Sequence, residues 1–461
     1  YQIVAELKKH GIYTMLTPSW VAKKSDVTEW SIDGYTGRNG GTNGLWGLLF
    51  FNEKLQAAYK AWMKELLTGE NPYTGIPLAK DPALGMILLQ NEDSLLFWTV
   101  SKMKAPQQRL LGKKFAAWAA DRYGSVDAAY DAWNGARVKG DEPDQGVLAF
   151  YHIWDATQEQ TGGKAVRVAD QVRFFAETMR AFNEEMERYL REELGCKQLI
   201  IAENWKTADQ TRLLDAERWS YAANEVIAKN HYVGGIHQGP RAGYRIDRGD
   251  LLFYRSVLTR PRALPANMKH LEGHPNMITE STWVNPNIYQ SEGPFLTAAY
   301  ASLTGLDGYV WFASGGAYDN EMSRGWRKWS LDHPMIAGMF PAAALAYRRG
   351  DIREAEPVVE EQRRLDDVLA GRVPLISEDQ GFDPNRDEGA VEKLSATGEI
   401  DPLAFLVGPV RTRYDGEPRE SHVVDVADFV DREAQTVRSR TGQILLDFRN
   451  GICTIDTPKA R

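Results

Sequence analysis

The run Leu84-Gly85-Met86-Ile87-Leu88-Leu89-Gln90, which leads into Asn91-Glu92, decides the fold class of this chain. A short apolar run of this length predicts a buried strand. Burying a carboxyl group at the end of such a strand costs free energy and raises the pKa of the group. A carboxyl group in this position is therefore expected to have a functional role. A second strand of this kind, Asn276-Met277-Ile278-Thr279, leads into Glu280. The two glutamates together indicate acid/base and nucleophilic chemistry.

Outward from this strand, apolar runs alternate with amphipathic helical runs, which predicts parallel βα units. The predicted strands end near Thr17, Glu92, Glu203, His231, Glu280 and Trp311. The predicted helices are Tyr1–His10, Lys54–Leu67, Val166–Leu194, Thr211–Ala223, Phe295–Thr304 and Met335–Tyr347, with a helix-rich stretch from Lys102 to Gly163.

These strands predict an α/β protein built on a (β/α)8 TIM barrel over residues 1–349. An eight-stranded barrel needs two more strands than the pattern supplies. We therefore expect strands 3 to 8 to be present and the chain to be a fragment without the first two. The polar residues then fall at the carboxyl ends of the strands, where such barrels keep their active sites.

From residue 350 onward the sequence predicts a smaller, β-rich, sandwich-like domain that we expect to be cut short at residue 461. A charged helix is expected over Glu354–Leu369 and a strand over Ala404–Val407. A hairpin is expected around Asn450-Gly451, a pair that suits a tight primed turn.

Composition excludes several function classes. The chain of 461 residues has a net charge of -8 and no clustered basic stripe, which argues against a nucleic-acid partner. The sequence contains no run of 18 apolar residues, so it predicts no membrane-spanning helix. Cys196 and Cys453 are too far apart in sequence to indicate a disulfide framework or a thiolate metal site. The sequence does not determine the oligomeric state or the localisation, and a secreted or periplasmic location is one of the open alternatives.

Metal and cofactor sites are not predicted. His270-Leu271-Glu272-Gly273-His274 differs from the zinc-binding order His-Glu-x-x-His, and Gly273 and Pro275 oppose a helix there, so we expect a surface loop. The sequence also lacks a Gly-x-Ser-x-Gly elbow and a glycine-rich phosphate loop in the right context.

The order of the motifs supports a family resemblance. Asn91-Glu92, His231-Tyr232, Glu280 and Trp311 follow one another as in clan A retaining glycoside hydrolases. The layout resembles the cellulase-like and β-galactosidase-like members, and the resemblance covers residues 1–347. It implies an enzyme without a cofactor that cleaves β-glycosidic bonds in an oligo- or polysaccharide. The alternative is a barrel that binds carbohydrate without cleaving it.

The resemblance also implies roles for single residues. Glu92 would be the acid/base and Glu280 the nucleophile. Asn91 would bind the sugar 2-hydroxyl group, and Tyr232 or His231 would orient Glu280. A retaining mechanism holds the two carboxyl groups about 5 to 5.5 Å apart, one protonated and the other ionised. Hydrogen-bond donors are expected to keep the nucleophile ionised.

Further sugar contacts are expected from aromatic and amide side chains, because flat indole faces stack on sugar rings. The predicted sugar-binding residues are Trp20, Glu203, Asn204, Trp205, Trp283 and Trp311, together with Asn91, His231 and Tyr232. Glu203-Asn204 reverses the order of Asn91-Glu92, so Glu203 is also a rival for the catalytic role.

Overall fold

The α/β class is confirmed by a computed structural model, which describes residues 1–19, 26–37, 44–240, 242, 245–314, 326–379, 381 and 398–459. Trp20, one of the predicted sugar-binding residues, lies outside the described residues. Within the described part of the chain, no helix is both long enough and apolar enough to cross a membrane.

The helices occupy the segments between strands, as the alternating pattern predicts. In chain order they are α1 (Gln2–Lys9), α2 (Glu53–Thr68), α3 (Ala105–Tyr123), α4 (Val126–Ala132), α5 (Ile153–Ala156), α6 (Gly162–Arg188), α7 (Leu214–Tyr221), α8 (Glu292–Thr304), α9 (Pro334–Ala337), α10 (Phe340–Arg349) and α11 (Leu365–Leu369). The single helix predicted over Met335–Tyr347 is thus two helices, α9 and α10.

The strands are short. In chain order they are β1 (Thr14–Leu16), β2 (Leu84–Leu88), β3 (Leu199–Ile201), β4 (Ile227–Asn230), β5 (Ile236–Gln238), β6 (Arg245–Ile246), β7 (Leu251–Phe253), β8 (Lys269–Leu271), β9 (Asn276–Ser281), β10 (Gly308–Trp311), β11 (Trp326–Arg327), β12 (Val359–Gln362), β13 (Val410–Arg413), β14 (His422–Val423), β15 (Val430–Asp431), β16 (Thr436–Arg438), β17 (Ile444–Asp447) and β18 (Ile452–Ile455).

The chain divides into two compact units. Unit 1 comprises Tyr1–Ala228 and Leu365–Arg372, and unit 2 comprises Lys229–Arg364 and Val373–Arg461. This division does not coincide with the boundary at residues 349 and 350 that the sequence predicts, and that boundary stays a prediction.

Unit 1 contains the parallel sheet β1-β2-β3. A single parallel bridge from Ile201 to Val226 continues the sheet beyond β3. Helix α2 shows why helices form between these strands. Asn52 caps its first turn by accepting a 3.1 Å hydrogen bond from Leu55 N–H, and the side chains that repeat every fourth residue are buried. They are Leu55, Tyr59, Met63 and Leu67.

Unit 2 contains the strands that carry the second glutamate. Within unit 2, β9 and β10 are parallel neighbours. Gly308 pairs with Met277, and the register shifts between Tyr309 and Trp311. Glu280 lies within β9, one residue before its end, and not after the strand.

The C-terminal region of unit 2 shares its sheet and its core with earlier residues. β8 pairs with β13, which pairs with β12, and β12 pairs with β14. The four strands β15 to β18 form an antiparallel sheet. One apolar core is built from buried side chains that are spread along the chain between Val233 and Leu446, and it includes Trp283 and Ile376. Burial in that shared core joins the β-rich region to the rest of its unit.

Several local predictions are wrong. Glu354–Leu369 contains strand β12 and only the short helix α11, because Val359 and Glu361 point into the protein. Residues 402–406 form a 3₁₀ helix where a strand was expected at Ala404–Val407. Lys269–Leu271 is a buried strand and not part of a surface loop.

The C-terminal hairpin forms, but its turn differs from the predicted one. Asp447 pairs with Ile452, which leaves a four-residue connection. Gly451 has φ 68 while Asn450 does not adopt a positive φ, so the turn is not of the type I′ form, which needs both. Asp447 accepts hydrogen bonds from the backbone and the side chain of Asn450 and stabilises this longer loop.

Candidate active site

The first predicted catalytic residue, Glu92, lies in a tight turn beyond the carboxyl end of β2. It is 6% exposed, and its backbone is left-handed, with φ 57. A left-handed conformation is costly for a residue with a Cβ and persists only where the surroundings hold it. Contacts around Glu92 must therefore stabilise this turn.

Asn204, which follows β3, holds this turn from one side. Its side-chain oxygen accepts a 3.0 Å hydrogen bond from Glu92 N–H. Its amide nitrogen donates a 2.8 Å hydrogen bond to the side-chain oxygen of Asn91. The two bonds use both ends of one amide, so Asn204 fixes Asn91 and Glu92 together. Asn204 itself is fully buried.

Asp93 holds the turn from the other side, and sequence reasoning missed it. One carboxyl oxygen accepts hydrogen bonds of 2.6 Å from Gly47 N–H and from the side-chain amide of Gln90. The other accepts a 2.9 Å bond from Ser94 N–H. Its position directly after Glu92 was the only signal for it in the sequence.

Asp93 belongs to a cluster of three buried carboxyl groups, the acid cluster Asp93, Glu203 and Glu217, each at most 1% exposed. Glu217, on α7, accepts bonds from the hydroxyls of Ser94 (2.6 Å) and Tyr221 (2.7 Å). Neither carboxyl oxygen of Glu203 makes a hydrogen bond of good geometry within the described residues. Glu203 was predicted to bind sugar, but in this structure it has no exposed surface to offer a ligand.

Burial raises the pKa of every member of the acid cluster. The pKa of Asp93 rises to about 7, although the N–H groups of Gly47 and Ser94 oppose the rise. The pKa of Glu217 also rises to about 7, against the opposing hydroxyls of Ser94 and Tyr221. The pKa of Glu203 rises well above its usual value through burial and through repulsion by the other two acids. The cluster therefore holds protons near neutral pH.

These raised pKa values predict a pH-dependent stability. Unfolding restores the usual carboxyl pKa values of about 4, so between about pH 4 and 7 the folded chain binds more protons than the unfolded one. Stability is then highest at the acid end of this window and falls as the pH rises through the folded pKa values. Glu203→Gln should reduce this fall by up to about 1.4 kcal/mol per pH unit.

The measurement is the urea midpoint of unfolding at pH 5, 6, 7 and 8. Glu203→Gln should gain stability relative to the parent as the pH rises, because the parent alone must then ionise a buried carboxyl group. Glu70→Gln, an exposed glutamate of the same unit, is the matched control and should follow the parent. Parallel curves for the Glu203 variant and the parent would show that Glu203 does not hold a proton in the folded protein.

The second predicted catalytic residue, Glu280, is held in unit 2 by the side chains of Asn230, the last residue of β4, and Tyr232, two residues further on. Tyr232 O–H donates a 2.6 Å hydrogen bond to a carboxyl oxygen of Glu280. The side chain of Asn230 is a second hydrogen-bond partner and was missed by sequence reasoning. His231 N–H donates a 2.9 Å bond to the backbone carbonyl of Glu280. Of the two residues expected to orient the carboxyl group, it is Tyr232 whose side chain bonds to it.

The pKa of Glu280 is raised, because burial outweighs the two donors. The sequence predicts that hydrogen-bond donors keep this group ionised, whereas burial has the larger effect on its pKa. Tyr232 and Asn230 act in that direction and limit the rise.

The predicted aromatic contacts divide into buried and accessible residues. Trp283 has no exposed surface, its indole N–H donates a 3.1 Å bond to Glu292, and its ring packs in the core, so it stabilises the fold. Trp311 is partly exposed and stacks on Trp283 with ring centroids 5.9 Å apart. In unit 1, Trp205 is 8% exposed and meets Phe97 edge to face at 5.5 Å.

Distant solved structures resemble the chain. A β-galactosidase from Bacillus circulans sp. alkalophilus is 14% identical, with 90% of this chain and 56% of that chain covered and a TM-score of 0.48. An agarase is 12% identical, with coverages of 75% and 46% and a TM-score of 0.42. An endo-β-1,4-mannanase from Thermotoga petrophila is 12% identical, with coverages of 78% and 65% and a TM-score of 0.36.

The chain spans about half to two thirds of the length of these three proteins. No family model matches the chain, and neither does any curated protein. The likeness of the chain to these three solved structures is one of fold.

Proposed function

We propose that this protein is a retaining glycoside hydrolase that cleaves β-linked oligo- or polysaccharides and is built on a (β/α)8 barrel. The observation that carries the proposal is the 2.6 Å hydrogen bond from Tyr232 to Glu280 on a parallel strand. A carboxyl group near the end of such a strand, oriented by a phenol, is placed to react and not to pack.

Glu280 is the proposed nucleophile. Its carboxylate would attack the anomeric carbon and form a covalent glycosyl-enzyme as the leaving oxygen departs. The hydrogen bonds from Tyr232 and Asn230 support this role, because they fix the direction of the attacking oxygen. They also stabilise the carboxylate form against the cost of burial.

Glu92 is the proposed acid/base. Its carboxyl group would protonate the leaving oxygen in the first step and then accept a proton from the water that releases the sugar. Support comes from the left-handed turn of Glu92, which Asn204 and Asp93 hold from both sides. Such fixation limits where the carboxyl group can reach, as proton transfer to a bound sugar requires.

Sugar-binding roles are proposed for residues that flank these two glutamates. Asn91 would contact the sugar 2-hydroxyl group, with its side chain directed by Asn204. His231 would contact a sugar hydroxyl beside Glu280. Trp311 would provide an aromatic face, since it is the partly exposed member of its stacked pair.

The test is hydrolysis of a panel of aryl β-glycosides and of β-linked polysaccharides, mannans, agars and galactans among them. Proton NMR of the first product should show the β-anomer before mutarotation, because two inversions retain the configuration. A first product with the α-configuration would contradict the retaining mechanism. Binding of a polysaccharide without any hydrolysis would favour a non-catalytic carbohydrate-binding barrel.

A further inference from the structure

A segment from the C-terminal region of unit 2 is firmly attached beside strand β4. Leu375 N–H donates a 2.7 Å bond to Glu361, and Ile376 is fully buried in the core. Asp379 forms an ion pair with Arg262. Residues 375–379 therefore follow a fixed path, although they lie well over a hundred positions after β4 in sequence.

Glu378 ties this segment to β4 itself. One of its carboxyl oxygens lies 2.7 Å from the Lys229 ammonium nitrogen, and the other accepts a 2.6 Å bond from Lys269 N–H. Lys229 also donates a 3.1 Å bond to the carbonyl oxygen of Asn267. Glu378 and Lys229 are both buried. Removing one partner of a buried ion pair strongly destabilises the fold, because the other charge is left buried without compensation. Lys229 precedes His231 by two residues on the same stretch of chain.

Gly381 then lies directly against the imidazole of His231. Its φ is 70, a conformation that favours glycine. A Cβ at this position would lie 3.1 Å from Cε1 and 3.2 Å from Nε2 of His231, closer than ordinary van der Waals contact. The space between Gly381 and the His231 ring is thus too small for a side chain at position 381.

We propose that Gly381, which follows the fixed segment 375–379, borders the sugar-binding site at His231 and sets the position of the His231 ring. Glu378 fixes strand β4, which directly precedes His231. The contacts of Glu378 and Gly381 together hold the imidazole in one position for hydrogen bonding to a sugar hydroxyl. The β-rich C-terminal region would then supply part of the site and not only an accessory fold. This inference rests on the proposed glycosidase function.

The test compares Gly381→Ala with Gly442→Ala. Both glycines have a left-handed φ, 70 and 71, so both variants meet the same backbone strain. A Cβ at Gly442 meets no atom within 4 Å, whereas one at Gly381 meets His231. Only Gly381→Ala should raise the KM for the best substrate, by about tenfold, with a smaller change in kcat. In a His231→Ala background the Gly381 variant should add no further effect.

A second readout does not depend on activity. In protein labelled with ¹³C at the histidine Cε1 atoms, the His231 signal is the one of eight that His231→Ala removes. It should shift in Gly381→Ala and not in Gly442→Ala. An unchanged signal would overturn the contact, and a shifted signal with unchanged kinetics would overturn its role in binding sugar. A parent inactive on every glycoside would overturn the proposed function, while the signal would still decide whether Gly381 positions His231.

Discussion

Glu280→Gln should lower turnover on activated aryl glycosides by about 10⁴-fold or more while leaving the fold intact. Glutamine keeps the shape of the side chain but cannot attack the anomeric carbon as a carboxylate does. The hydrogen bond from Tyr232 can still be made to the amide oxygen, so little stability should be lost. The measurements are kcat on a nitrophenyl glycoside and the melting temperature.

Glu356→Gln is the matched control, because Glu356 is an exposed glutamate of the same unit. It should keep both the turnover and the melting temperature of the parent. If Glu280→Gln kept more than about a tenth of the parent turnover, Glu280 would not be the nucleophile.

Glu92→Ala should damage hydrolysis of natural glycosides far more than that of activated aryl glycosides. A good leaving group such as nitrophenolate departs without protonation, whereas a sugar hydroxyl needs the proton that Glu92 would donate. Release of the glycosyl-enzyme should also be slow, because no base remains to activate water. Azide needs no base, so it should restore turnover of the aryl glycoside and yield a β-glycosyl azide.

Glu92→Gln provides the control for azide rescue, since its side chain fills the space that alanine opens. It should show the same preference for good leaving groups and little rescue. Equal losses on both substrate types, without rescue in the alanine variant, would assign Glu92 a structural role and return Glu203 to consideration as the acid.

Much of the α/β pattern could be predicted because the strands of both units are apolar runs followed by polar residues. Strand β2 and the turn at Glu92 follow from this contrast, and so does the hydrophobic repeat of helix α2. The prediction failed where charged residues are buried. Glu361 on β12 accepts a bond from Leu375 N–H and lies 3.8 Å from Arg363, yet its charged surroundings in sequence are typical of an exposed helix.

The support around the two glutamates could be predicted only in part. Tyr232 and Asn204 stand beside predicted strand ends, and their motifs drew attention to them. Glu217 lies in a helix, and its burial depends on the bonds from Ser94 and Tyr221, which no spacing in the sequence reveals. The contact of Gly381 with His231 joins residues far apart along the chain and had no local signal.

Trapping the covalent intermediate tests the proposed nucleophile most directly. The protein would be incubated with activated 2-deoxy-2-fluoro-β-glycosides of galactose, glucose and mannose, and digested peptides would be mapped by mass spectrometry. The 2-fluoro group slows release of the glycosyl-enzyme more than its formation in the presence of a good leaving group. We expect one stoichiometric label, on Glu280, whose appearance parallels the loss of activity. A label on Glu203 or Glu92, or hydrolysis without any covalent adduct, would contradict the proposed role of Glu280.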